Sequence, residues 1–79
     1  MTPSDFNQLA LAINKAAALG GTLVYMDAEN RVPRVVEHVR PGSGSIKFKS
    51  YATAITPPPS MRLTDFRLIL PVNPEIINL

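Results

Sequence analysis

The sequence predicts an α+β fold, with one N-terminal helix packed on a four-stranded, strongly bent antiparallel sheet and a C-terminal tail docked against it. Three observations lead there. Apolar residues recur at helical spacing up to Gly20, which gives a helix one apolar stripe. Between residues 22 and 70, runs rich in Val, Ile, Leu, Tyr and Thr alternate with short segments of Pro, Gly, Ser and Asn, the pattern of strands and turns. Consecutive strands joined by short turns pair as hairpins, so the sheet is antiparallel and the single helix covers one face or one end of it. With so few residues the sheet is expected to curl into a small, partly open barrel. The chain reads as one domain: helix 2–19, strands 22–70, tail 71–79.

The helix starts at Thr2-Pro3-Ser4-Asp5. Thr2 can cap, Pro3 suits the first helical position, and Asp5 sits where the acid of a capping box belongs. Phe6, Leu9, Ala10, Ile13, Ala16 and Ala17 form the apolar stripe, Leu11 falls off it, and Gly20-Gly21 supplies a left-handed stop. The first strand is expected over 22–27, with a turn at 28–30. The second runs over 32–40, where Pro33 lacks a donor and places the strand's start at an edge. Strict alternation sets Arg34, Val36, His38 and Arg40 against Val35, Glu37 and Val39. Neither set is purely apolar, so the period leaves the buried face open.

Residues 41–45, Pro-Gly-Ser-Gly-Ser, form a turn; the Gly-Lys-Ser/Thr ending and following helix of a phosphate-cradling loop are absent. A third strand covers 46–51, with Ile46 and Phe48 on one face and Lys47, Lys49 and Tyr51 on the other. Two lysines beside a Tyr can hold a phosphate backbone while a base stacks on the ring. The same pattern also protects an edge strand from aggregation. Pro57-Pro58-Pro59 reads as a rigid connector. The last strand runs over 61–70, with Phe66, Leu68 and Leu70 alternating against Asp65, Arg67 and Ile69. The tail, with Ile76, Ile77 and Leu79, is too apolar to stay in water.

At 79 residues with no Cys, the chain has no disulfide staple and no thiol nucleophile. Such a chain buries only about 60% of its unfolded surface, so association into a homo-oligomer is the remaining ordinary way to gain core. The lack of Cys fits a reducing, cytoplasmic setting. No run approaches the length of a membrane span, and no secretory signal is expected. Catalysis is not expected either. His38 is the single His, Ser43 and Ser45 sit in a turn, Glu37 points away from His38, and the six acids are scattered. No cofactor and no metal site are implied.

Charge is the informative signal. Residues 31–67 carry seven cations against Glu37 and Asp65, while the flanks carry Lys15 against four acids. This asymmetry favours an anionic partner for the middle segment. The candidate ligand-binding residues are Arg34, Arg40, Lys47, Lys49, Tyr51, Arg62 and Arg67. The cations would neutralise phosphates of a nucleic acid or nucleotide, and Tyr51 would stack on a base. The alternative is a small protein-interaction or inhibitor module, of the kind a virus or mobile element encodes. Its arginines would meet an acidic partner surface and its apolar tail would take part in binding.

The order of short motifs resembles the Sm/SH3-like barrel of WYL domains. Tyr25-Met26-Asp27 matches that family's first strand ending, Arg34-Val35-Val36-Glu37 its second strand, and Phe66-Arg67-Leu68 its last. The similarity spans roughly residues 13 to 70, and Ile46-Lys47-Phe48 stands where the Trp-Tyr-Leu strand would be. The resemblance implies a sensor of nucleotides or nucleic acid, with Arg34, Arg62 and Arg67 on the ligand face.

Overall fold

The computed structural model describes residues 1–27, 31–71 and 76–78. Helix α1 spans Pro3–Leu19 and is bounded as its sequence requires. Thr2 accepts a hydrogen bond from the Asp5 amide at 3.2 Å, and the Asp5 carboxylate accepts one from the Thr2 amide at 3.0 Å, so two orphan donors are satisfied reciprocally. At the far end Gly20 takes φ 67°, and the Gly21 amide donates to the Ala16 carbonyl at 2.8 Å, a Schellman stop. Phe6, Leu9, Ala12 and Ala16 are buried and Ile13 is packed against them. The buried stripe therefore includes Ala12, while Ala17 is exposed and Leu11 stands 68% exposed.

Five antiparallel strands follow: β1 Thr22–Met26, β2 Pro33–Arg40, β3 Ser45–Phe48, β4 Phe66–Ile69 and β5 Ile76–Asn78. Their order is β3-β2-β1-β4-β5. The four expected strands are present, and the tail docks on its own chain as a fifth, Ile77 pairing with Leu68. The sheet is open. Among the described residues no pairing joins β3 to β5, so the expected barrel closure is not formed. Instead Ile55 bridges Ile46 through two 2.9 Å backbone hydrogen bonds and covers the outer edge of β3. The last strand is shorter than expected because residues Leu63–Asp65 form a 3-10 turn before it. The expected turn at 28–30 lies outside the described residues.

The helix-facing side carries Leu23, Tyr25, Val36, Ile46, Phe48 and Phe66, which join Phe6, Leu9 and Met61 in one core. Strict alternation along β2 fails at a bulge. Val36 pairs with Phe48 but His38 pairs with Lys47, leaving Glu37 as the extra residue. A bulge shifts the side-chain phase by one. Val36 and Val39 therefore both face inward, Val39 across from Ile46, while His38 and Arg40 turn outward across from Lys47 and Ser45. Pro33 pairs with Met26, and β3 accompanies β2 only from Val36 onward. The start of β2 thus has a free side where Pro33 needs no partner.

Two adjacent glycines serve different ends. A Cβ on Gly20 would meet nothing closer than 3.9 Å but would carry the left-handed strain, whereas one on Gly21 would lie 2.7 Å from the Ile69 carbonyl oxygen. Gly20→Ala is expected to cost about 1 kcal/mol. Gly21→Ala is expected to cost about 2 kcal/mol, because backbone rather than a side chain must yield. Urea midpoints at unchanged m-value measure both.

Candidate functional site

Four aromatic rings at one end of the core build a floor. Tyr25 lies 5.1 Å from Phe66 and 5.9 Å from Phe48, and Tyr51 meets Phe48 edge-on at 5.7 Å. Such tilted and edge-on pairs are the favoured aromatic geometries. Tyr51 reaches this position because β3 ends at Phe48, where the Tyr51 amide donates to the Phe48 carbonyl at 3.1 Å. The turn carries the ring to the core side. The expected face of Lys47, Lys49 and Tyr51 is therefore not formed: Tyr51 has parted from the two lysines.

Above this floor opens a cleft of about 370 Å³. Tyr25, Asp27 and Arg34 line it from paired ends of β1 and β2, Tyr51 and Ile55 from the segment after β3, and Met61, Arg62 and Asp65 from the turn before β4. Arg34 stands at its centre. Its guanidinium is 3.1 Å from the Asp27 carboxylate, 5.0 Å from the Tyr51 ring centroid, and donates to the Tyr51 hydroxyl. A planar, five-donor fork can stack and pair at once, which a lysine cannot. Arg62 lies at the mouth, its side chain 72% exposed and its Nε 3.7 Å from Asp65. The Asp65 carboxylate also accepts from the Arg62 amide at 3.3 Å. Two cations and two carboxylates give the cleft no net charge, yet leave one exposed guanidinium at its entrance.

The seven sequence-predicted residues thus divide. Arg34, Tyr51 and Arg62 meet in the cleft. Arg40, Lys47, Lys49 and Arg67 do not. Arg40 is exposed at the end of β2. The Lys47 ammonium pairs with Glu37 and donates to the Phe48 carbonyl, both at 2.9 Å. Lys49 is exposed beyond β3, its amide donating to the Val35 carbonyl at 2.9 Å. Arg67 pairs in register with Val24 on the outward side of β4, and its guanidinium is taken up by the Thr64 and Phe66 carbonyls. The sequence reading missed Asp27 and Asp65 as partners of the cleft cations. The Arg62-to-Asp65 spacing of three is a local signal for one of them; the Asp27–Arg34 pair follows from strand register, which composition does not give. His38 sits at the bulge with Nδ1 buried and lacking a hydrogen-bond partner among the described residues. The described residues hold no cluster of three or more potential metal-ligating side chains.

Fold and cleft together define a small α+β domain with an open, ligand-sized cleft at one end of its sheet. Comparison with known proteins finds no matching family profile, no matching curated protein and no matching solved structure. Tyr25 pairs with Arg34 on one flank and with Phe66 on the other.

The Lys47 ammonium, by hydrogen bond and charge, holds the Glu37 carboxyl below its ordinary value of 4.5. A depressed folded value makes the stabilisation present above the unfolded value and lost as pH falls through the folded one. Glu37→Gln is accordingly expected to unfold more easily than the parent near pH 7 and to match it at about pH 2, where the parent's carboxyl is also neutral. Because the pair is partly exposed, the gap is small and shrinks with salt. Thermal melts across pH measure it.

Proposed function

We propose that this domain is a non-enzymatic binding module that takes a nucleotide, or the end of a nucleic-acid strand, in the Arg34–Tyr51–Arg62 cleft. The observation that carries the reading is the Arg34 guanidinium held between Asp27 and Tyr51 beneath the exposed Arg62. A cleft of about 370 Å³ falls in the range of small-molecule sites. Its aromatic and aliphatic lining suits a base or sugar, while Arg62 at the mouth suits a phosphate. The similarity of the paired Tyr25, Arg34 and Phe66 fragments to WYL domains supports the same ligand class. A long phosphate backbone fits less well, because the remaining cations do not line the cleft and Lys47 and Arg67 are already engaged. The module would work in a reducing compartment such as the cytoplasm; among the described residues no helix is long and apolar enough to cross a membrane.

A protein partner is the second reading. Leu11 and Leu19, about two turns apart on α1 and 68% and 49% exposed, are the apolar side chains such a partner would cover.

Salt dependence separates a cleft ligand from a tracked backbone. Contact through two cations predicts a slope of log K against log salt of about −1.4 for a single strand, whereas engagement of all six predicted cations would give about −4. Fluorescence titration of a short labelled oligonucleotide and of a mononucleotide at several salt concentrations reads this directly. The cleft reading expects the shallow slope, and expects Arg62→Glu or Tyr51→Ala to weaken binding about tenfold, the scale of a lost stacking or charge contact. A steep slope unaffected by either variant would contradict it.

A further inference from the structure

A second opening lies beside the bulge at Glu37, between α1 and the strands. The β1–β2 ladder runs from Met26–Pro33 to Val24–Val35 and stops there. Beyond it, a slot of about 230 Å³ opens between the strands and α1. Its walls are Leu23, Val35 and Val36, and its helix side is Ile13, Ala16 and Ala17. Small residues on the helix leave the slot unfilled, where a Leu at either alanine would close it. Glu37 and Lys49 stand at its rim. Glu37 is matched by Lys47 at 2.9 Å. Lys49 has no side-chain hydrogen bond or ion pair among the described residues, although Glu37 feels its charge. The rim therefore holds one uncommitted ammonium above an apolar slot, beside a carboxylate already matched by Lys47.

We infer that this slot is a binding site for a small aliphatic carboxylate, its chain against Leu23, Val36 and Ala17 and its carboxylate on Lys49. Charge and shape choose the class together. An aliphatic amine would meet Lys49 as a like charge, while the Glu37 carboxylate that could take it is already paired with Lys47. A neutral alcohol would bury the same apolar area but forgo the charge-assisted hydrogen bond. At about 230 Å³ the slot is below the usual size of a drug-sized site, so a short chain with one headgroup fits and a nucleotide does not. The slot shares no lining residue with the cleft, so the two sites stand or fall separately.

The test is a titration of the ¹⁵N-labelled full chain with sodium octanoate below its micelle concentration, followed by amide chemical shifts, with octylamine and octanol as parallel probes. Saturable shifts confined to the amides around Ala16, Leu23 and Val36 are expected with octanoate. Lys49→Gln should weaken them about fivefold, the scale of one partly exposed charge pair. Ala17→Leu, at an exposed helical position, should abolish them while leaving a folded spectrum. Octylamine should give none. Shifts that never saturate, that spread over the whole spectrum, or that are equal for octylamine and octanoate would overturn the assignment. So would octanoate binding that Lys49→Gln leaves unchanged. Should Ala17→Leu fail to fold, the Lys49→Gln comparison decides alone.

Discussion

The extra residue in β2 at Glu37 is the constraint on which the remaining geometry rests. Without it, a strand carrying Arg34, Val36, His38 and Arg40 on one face would bury a His or expose a Val at every choice of register. With it, Val36 pairs with Phe48 and Val39 with Ile46, so one strand contributes two aliphatic side chains to the core from positions of opposite phase. The same displacement turns His38 and Arg40 outward and leaves Glu37 paired with Lys47, just past the end of the ladder with β1 at Val24–Val35. Burial of apolar surface at about 25 cal/mol per Å² makes inward placement of both valines worth more than the ladder hydrogen bonds a bulge forgoes. The local price is one buried ring nitrogen on His38 without a partner.

Distribution of charge follows from this phase shift and from the turn after β3. Seven cations clustered in sequence become groups with different surroundings in space. Arg34 and Arg62 share the cleft with Asp27 and Asp65, while Lys47 and Arg67 spend their donors on Glu37 and on backbone carbonyls. Local charge in sequence therefore overstates the free charge on any one surface. What remains distinctive is quality rather than quantity: a part-buried arginine paired with Asp27 and the Tyr51 hydroxyl, with an exposed arginine at the mouth, over an aromatic floor.

Much of the fold was legible in the residues. Thr2, Pro3, Asp5 and Gly20 mark the helix ends by their chemistry alone, and the hairpin at 41–45 and the strand around Phe66 follow from turn residues and alternation. Those signals are local, and local physics decides them. The bulge was not legible, because a period-two reading has no way to insert a residue; the mixed faces of β2 were its only trace. The position of Tyr51 was misread for the same reason: extending the strand by three residues past Phe48 keeps the ring with the lysines, whereas the turn sends it to Arg34. Of the candidate site, Arg34, Tyr51 and Arg62 were named from residue type, but their meeting depends on register and on the path of the Pro-rich segment, which are long-range.

Methyl-to-ring nuclear Overhauser contacts test the phase shift most directly. The account predicts that the Val36 methyls contact the Phe48 ring and the Val39 methyls contact Ile46, with the His38 ring protons contacting the Lys47 side chain instead of the core. Contacts from the His38 ring to Phe6 or Ile46, with the Val39 methyls free of any core partner, would contradict it.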